Sequence, residues 1–280
     1  MPDAGEIREQ QRQTWDRFAG GWAKWDALIS PMMAPVGDEM IRSLSLRDDG
    51  EHLDIAAGTG EPGLSIAALM PRGRVVLTDL STAMLAEARA NADRKGLRNV
   101  EFRECGVDDL EFADASFDSV ACRFGLMFFP DIPAAIAEMA RVLRPGGRMA
   151  LAVWAEPPGN AWATVPMAAI GAEVEMPAPT PDAPGLFRCA EPEMISAILR
   201  DAGLRDVVET DVVATLDVAS AEEYWALVCE VTAPVVATLA NLDADTRARI
   251  DAAVLDRVRS YEDSDGVHMP GHARCVAGTK

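Results

Sequence analysis

The segment Asp54-Ile-Ala-Ala-Gly58-Thr-Gly60-Glu-Pro-Gly63 follows an apolar run and opens a helical pattern. Glycines at 58 and 60 let the backbone turn tightly and let a ligand lie against it. The free N–H groups of the helix that follows, with its dipole, favour a carboxylate or phosphate. Asp79 comes nineteen residues after Gly60, at the end of a second apolar run. A carboxylate there can accept two hydrogen bonds from ribose hydroxyls. The set points to a nucleoside-bearing ligand. Gly58-x-Gly60-x-x-Gly63 also fits a dinucleotide fingerprint, so the spacing alone leaves an NAD-dependent oxidoreductase open. Asp54, four residues before Gly58 and inside the strand, suits a ligand with an ammonium group and would repel a pyrophosphate.

The elements that must hold these residues alternate. Strands are expected at 52–57, 74–79, 99–104, 117–122 and 148–154, with helices at 61–70, 81–95 and 131–143 between them. In the second of these helices Met84, Leu85, Ala88 and Ala92 fall on one face at 3.6-residue spacing. Such alternation predicts a parallel sheet covered by helices on both faces. Helices at 3–25 and 31–46 precede it, carrying Trp15, Phe18, Trp22 and Trp25. Seven of the eighteen prolines fall in 155–185, which predicts loop around a short helix near 160–173. A helix at 190–203 and a strand at 206–215 resume the pattern. Two amphipathic helices are expected in 220–263, broken near Asn241-Leu-Asp243 with Asp243 as N-cap, and a last strand at 267–278. The chain thus reads as one α/β domain: a helical cap at 1–48, a core at 49–216, a helical lid insertion at 217–265 and a last strand at 266–280.

S-adenosylmethionine carries an α-amino group, a carboxylate, a ribose and an adenine, and no phosphate, which matches the residues above. Leu53-Asp-Ile-Ala-Ala-Gly-Thr-Gly60, Leu77-Thr-Asp-Leu-Ser-Thr-Ala-Met-Leu85, Phe117-Asp-Ser-Val and Arg141-Val-Leu-Arg-Pro-Gly-Gly147, taken together, resemble the class I S-adenosylmethionine-dependent methyltransferases. The branch they look most like includes the ubiquinone and menaquinone biosynthesis enzymes. The resemblance covers roughly 50–155. It implies a Rossmann-like seven-stranded sheet of order 3-2-1-4-5-7-6 with the seventh strand antiparallel, and S-adenosyl-L-methionine as cofactor. By the same resemblance Asp54, Ala56, Gly58 and Gly60 hold the methionyl end, and Asp79 the ribose. Leu80 and Met84 line the adenine, and Arg123 lies beneath the methionyl carboxylate. The chain departs from the family at the adenine edge. Gly106 stands where an Asp is usual, leaving the backbone N–H of Val107 and the carboxylate of Asp108 as candidates to read the ring.

Methyl transfer depends mainly on alignment and a dry cavity, so the acceptor leaves little direct mark. Ligands of open α/β sheets sit outside the carboxyl ends of the strands. The segments leaving those ends supply Phe124, Met127, Phe128, Trp154 and Trp162, and the cap adds Trp22. These six are the candidate acceptor pocket, while Trp15 and Trp25 are assigned to the cofactor. The set favours a small apolar, aromatic, quinone-like or isoprenoid acceptor, methylated on oxygen or carbon. The alternatives are a protein that binds the cofactor without transfer, the oxidoreductase above, or aromatics that only pack the cap. His268 and His272 flank the last strand and are the candidate general bases. Asp131 is the only carboxylate near the end of the fourth strand, so no metal is expected.

Lys and Arg number 26 against 45 Asp and Glu, a formal charge of −19. That balance argues against nucleic acid as partner. No apolar run reaches the ~20 residues of a membrane span, and Met1–Glu9 lacks a signal core. Five scattered cysteines without a C-x-x-C fit reduced thiols, hence a cytoplasmic protein. The oligomeric state, homodimer included, is left open.

Overall fold

The computed structural model describes residues 3–175 and 183–280; Pro177, Pro179 and Pro181 of the proline-rich stretch lie outside them. Two helices come first, α1 (Ala4–Lys24) and α2 (Asp26–Leu44). Asp3 and Glu6 close a reciprocal capping box at the start of α1. α2 begins earlier than its prolines suggest, with Pro31 and Pro35 inside it and Ile29, Met33, Val36 and Met40 buried. The α/β core follows: β1 (Glu51–Ile55), α3 (Gly63–Leu69), β2 (Arg74–Asp79), α4 (Thr82–Arg94), β3 (Val100–Glu104), β4 (Phe117–Arg123), α5 (Ile132–Val142) and β5 (Leu143–Trp154). Beyond it lie α6 (Ala161–Glu173), α7 (Met194–Asp201) and β6 (Arg205–Val213). Ser81 and Asp131 cap α4 and α5 through side-chain oxygens.

The remaining elements are β7 (Leu216–Val218), α8 (Ala221–Val231), α9 (Ala233–Leu239), α10 (Ala244–Val258), β8 (Glu262–Asp263), β9 (Gly266–Met269) and β10 (His272–Thr279). The main sheet runs β3-β2-β1-β4-β5-β10-β6, with β10 antiparallel to both its neighbours. Counting β10 as the seventh strand, this is the expected order. Val75, Val76 and Leu77 of β2 are fully buried, as a strand covered on both faces requires. At the amino end of β1, His52 is buried against the Ser119 hydroxyl at 2.8 Å, and burial pulls its pKa down to about 3.

Two expectations are corrected. The last strand is two strands, parted at Pro270-Gly271, and the first of them, β9, joins β7 and β8 in a separate three-stranded sheet. Pro270 has no N–H to continue the ladder, and a Cβ on Gly271 would stand 2.2 Å from the Ala214 carbonyl, so the crossing there requires glycine. The lid has three helices: Pro234 lacks an N–H and restarts the chain as α9 after Thr232. Asp243 caps α10 by accepting from Asp245 and Thr246 N–H.

Candidate active site

The turn after β1 is held by two carboxylates. Asp79, at the end of β2, accepts from the N–H of Gly58 at 2.8 Å through one oxygen and from Ser81 at 2.9 Å through the other. Burial raises its pKa, against the pull of those N–H groups. Gly58 has φ +54° and a Cβ there would meet nothing within 4 Å, since it faces open space. Gly60 is different: a Cβ would stand 2.6 Å from Leu64. Asp54 lies fully buried beneath the turn, its Oδ2 accepting from Gly63 N–H at 2.8 Å and its Oδ1 without a partner among the described residues. Burial pushes its pKa up to about 7, opposed by the charge of Arg123. The half-buried Arg123 guanidinium donates a long 3.4 Å bond to the Met33 carbonyl and forms no ion pair among the described residues. Burial lowers its pKa against the fields of Asp54 and Glu61. An anion is the partner such a group lacks.

A cavity of about 1000 Å³, open mouth included, runs along the carboxyl ends of β1, β2 and β4. Gly58, Asp79 and Arg123 line it, and Leu80, Met84, Gly106, Val107 and Asp108 close one end. α1 lies across it. Arg8 pairs with Asp108, and Asp16 accepts from the Ser81 hydroxyl at 2.7 Å at the head of α4. At its other end α1 reaches the lid. Lys24 pairs with Glu230 at 2.6 Å, and the Trp25 indole donates to the same carboxylate at 3.0 Å.

A second cavity, about 1270 Å³, adjoins the first beneath the lid. Gln11, Trp15, Trp22, Met33, Phe124 and Phe128 line both. Phe124 stacks on Trp154 at 4.2 Å and 14°, and Trp154 tilts against Trp162 at 4.9 Å. Trp15 stands edge-on to Phe128 at 5.2 Å and to Trp22 at 6.2 Å. Among the described lining, Gln11, Thr14 and Thr232 are the polar side chains apart from the indoles. Phe124 (φ +60°) and Ala56 (φ +55°) both hold left-handed backbone. They sit where the turns after β4 and β1 meet, for a Cβ on Gly125 would stand 2.5 Å from the Ala56 methyl. Strain of this kind costs about 1–3 kcal/mol and persists where the surroundings dictate it.

Residues 53–147 match the family model described as a methyltransferase domain. The demethylmenaquinone methyltransferase of Thermus thermophilus is 40% identical over 113 residues, 40% of this chain and 51% of that one. The ubiquinone/menaquinone biosynthesis C-methyltransferase UbiE of Brucella anthropi is 37% identical over 148 residues, 50% and 56% of the two chains. The α/β core is thus similar to methyltransferase domains, and the likeness lies in the segment that carries the glycine turn and Asp79. The whole chain superposes on phosphoethanolamine N-methyltransferase 2 of Haemonchus contortus with a TM-score of 0.58 at 16% identity, covering 100% of this chain and 60% of that one, a likeness of fold. The chain spans about half the length of the curated relatives it matches, 48% to 56%.

Within the α/β core and its helical cap, Trp15, Ala56, Gly58, Asp79, Leu80, Met84, Val107, Asp108 and Arg123 line the first cavity. Trp22, Phe124, Met127, Phe128, Trp154 and Trp162 line the second. Three assigned cofactor residues stand off the wall. Asp54 lies under the turn, Gly60 packs on Leu64, and Trp25 is tied to Glu230 of the lid. Neither candidate histidine is in the described lining of these two cavities. His268 sits on β9 between Asp217 at 2.7 Å and Asp263 at 3.2 Å, which raise its pKa. His272 lies at the start of β10, 3.7 Å from Asp211. Arg8 and Gln11 were not anticipated. Their place on one face of the first helix, two turns and one turn before Trp15, was the available signal.

Proposed function

We propose that the chain transfers a methyl group from S-adenosyl-L-methionine to oxygen or carbon of a small apolar, ring-bearing acceptor of quinone-like or isoprenoid type. The observation that carries this reading is the second cavity, walled by aromatic and aliphatic side chains and sharing six residues with the first. When bound, the cofactor would supply a methyl carbon on a sulfonium, open to in-line attack by an electron pair of the acceptor, an oxygen lone pair or a ring-carbon π pair, while the C–S pair returns to sulfur. The chain's own residues hold and align. Asp79 accepts from the ribose hydroxyls through lone pairs that Gly58 and Ser81 leave free, and Arg123 receives the carboxylate. Leu80, Met84 and Val107 pack the adenine, with the Arg8–Asp108 pair across that end. Trp15, Trp22, Phe124 and Phe128 put aromatic faces at the seam, where a cation over a ring gains about 0.5–2 kcal/mol. α1 and the lid exclude water from the reacting atoms. The names of the quinone methyltransferase relatives agree with this acceptor class.

The test is incubation with S-adenosylmethionine and a panel of aromatic, quinone and prenyl acceptors, read by mass spectrometry for the gain of one methyl. Binding of S-adenosylhomocysteine with no acceptor methylated supports the other reading, a cofactor-binding protein without transfer. Methylation of polar amines alone defeats the apolar-acceptor reading.

A further inference from the structure

We infer that the acceptor is a planar ring bearing an oxygen, and that the indole N–H of Trp22 donates a hydrogen bond to that oxygen. This rests on the function proposed above and narrows it. The indole N–H groups of Trp25, Trp162 and Trp225 have protein acceptors, namely Glu230, Asn160 and Asp251. That of Trp22 is buried and has none among the described residues. A buried donor without an acceptor forfeits its hydration and gains nothing in return, so native structures rarely keep one unless a ligand completes it. Trp22 lines both cavities, in the strip of wall where the methyl group must pass from one ligand to the other.

The cofactor's own oxygens have partners elsewhere: the ribose faces Asp79 and the carboxylate faces Arg123. An oxygen of the second ligand is what the Trp22 donor lacks. The shape of that ligand follows from the rings around it. Phe124 and Trp154 are stacked nearly parallel, with Trp162 beside them. Trp154 is buried behind that stack, so the half-buried Phe124 is the ring of the pair against which a flat ligand can stack offset. Donation to a ring oxygen stabilises negative charge there, which is the charge that makes a neighbouring ring atom nucleophilic. It also fixes the rotation of the ring in its plane, which stacking leaves free. Trp22 is therefore a positioning residue.

The test uses the full chain saturated with S-adenosylhomocysteine and two probes, 2-hydroxy-1,4-naphthoquinone and naphthalene, the same rings without oxygen. Equilibrium dialysis gives the affinity of each for the wild type and for Trp22→Phe, which keeps an aromatic ring and loses the donor. The expected result is a loss of about tenfold or more for the hydroxynaphthoquinone, the worth of a hydrogen bond to a charged oxygen. Naphthalene should change by less than about twofold, and S-adenosylhomocysteine affinity should hold. Trp22→His, with a ring N–H restored, should recover part of the preference. Equal loss for both probes, or loss for neither, overturns the hydrogen bond and leaves the apolar chamber standing. A fall in S-adenosylhomocysteine affinity with an unchanged probe ratio assigns the donor to the cofactor and also overturns it. If neither probe binds the wild type, the apolar-ring reading of the function fails first.

Discussion

Asp54 and Asp79 bring two carboxylates to one glycine turn, one beneath it and one beside the cavity. Replacing Asp79 with Ala should weaken S-adenosylhomocysteine binding by about 1.5–3 kcal/mol for each charge-assisted bond lost. Calorimetric titration at unchanged affinity would remove its ribose role. Asp54 predicts a pH effect. Its pKa of about 7 in the ligand-free protein means that a sizeable fraction is protonated near neutrality. A bound sulfonium and ammonium favour the carboxylate, so binding lowers that pKa and releases a proton. Affinity for S-adenosylmethionine should therefore rise between about pH 6 and 8, and more steeply than for the uncharged-sulfur product. Calorimetry in buffers of different ionisation heat reads the released proton, and Asp54→Asn should flatten the slope. Equal slopes for the two ligands would refute it. The place of the glycine turn, of Asp79 and of the aromatic wall of the second cavity is legible in the sequence, because residue type and strand end suffice to put them at these cavities. That Asp54 lies under the turn and Trp25 on Glu230, both off the cavity wall, is not legible, because which way a side chain leaves the backbone is not written in spacing. Arg8 was missed because its partner Asp108 is 100 residues away.

α1 is one helix with two attachments, to the core through Arg8 and Asp16 and to the lid through Lys24 and Trp25. Its packing on the lid is close, since a Cβ on Gly21 would lie 2.6 Å from the Glu230 carbonyl. Deleting residues 1–27 should leave a folded sheet that binds S-adenosylhomocysteine poorly and transfers no methyl. Hydrogen exchange should show 10–27 and 220–263 protected on adding cofactor and acceptor; exchange indifferent to ligand in both segments would end the lid idea. Arg8→Ala and Asp108→Ala separate two roles of Asp108. Both side chains are 39% exposed, so the ion pair itself is worth at most about 1 kcal/mol. If Asp108 only latches α1, each variant loses up to about fivefold in affinity and the double variant no more. If Asp108 reads the adenine amine, its loss exceeds that of Arg8. At this scale the sheet order was legible through the resemblance, and the long elements through their periodicity. β7, β8 and the separate sheet they form with β9 were not, because strands of two to four residues show no alternation to count.

The net charge of −19 surrounds two cavities whose walls are mostly apolar, which suits capture of a cationic cofactor and rejection of polyanions. No helix of the described residues is long and apolar enough to cross a membrane. Global stability carries the mark of His52. Its folded pKa is depressed to about 3 from an ordinary 6.5, so between those values the unfolded chain binds the extra proton. Stability should fall as pH drops from about 6.5 towards 3, with no further loss from this group below that. Thermal melting of wild type and His52→Gln across pH 4–7 isolates the effect: the gap between them should narrow as pH falls, and a constant gap would contradict the assignment. The strand order has a consequence for how the chain is made. β10 is synthesised after β5 and β6 yet lies between them, antiparallel to both. Until it emerges from the ribosome, β5 offers an open edge and β6 has no neighbour in the main sheet, and unpaired edges invite pairing with other chains. The cap, the cofactor turn and the lid are thus all translated before the strand that locks them onto one sheet, and a nascent chain halted before residue 272 should need chaperones in a way the finished protein does not.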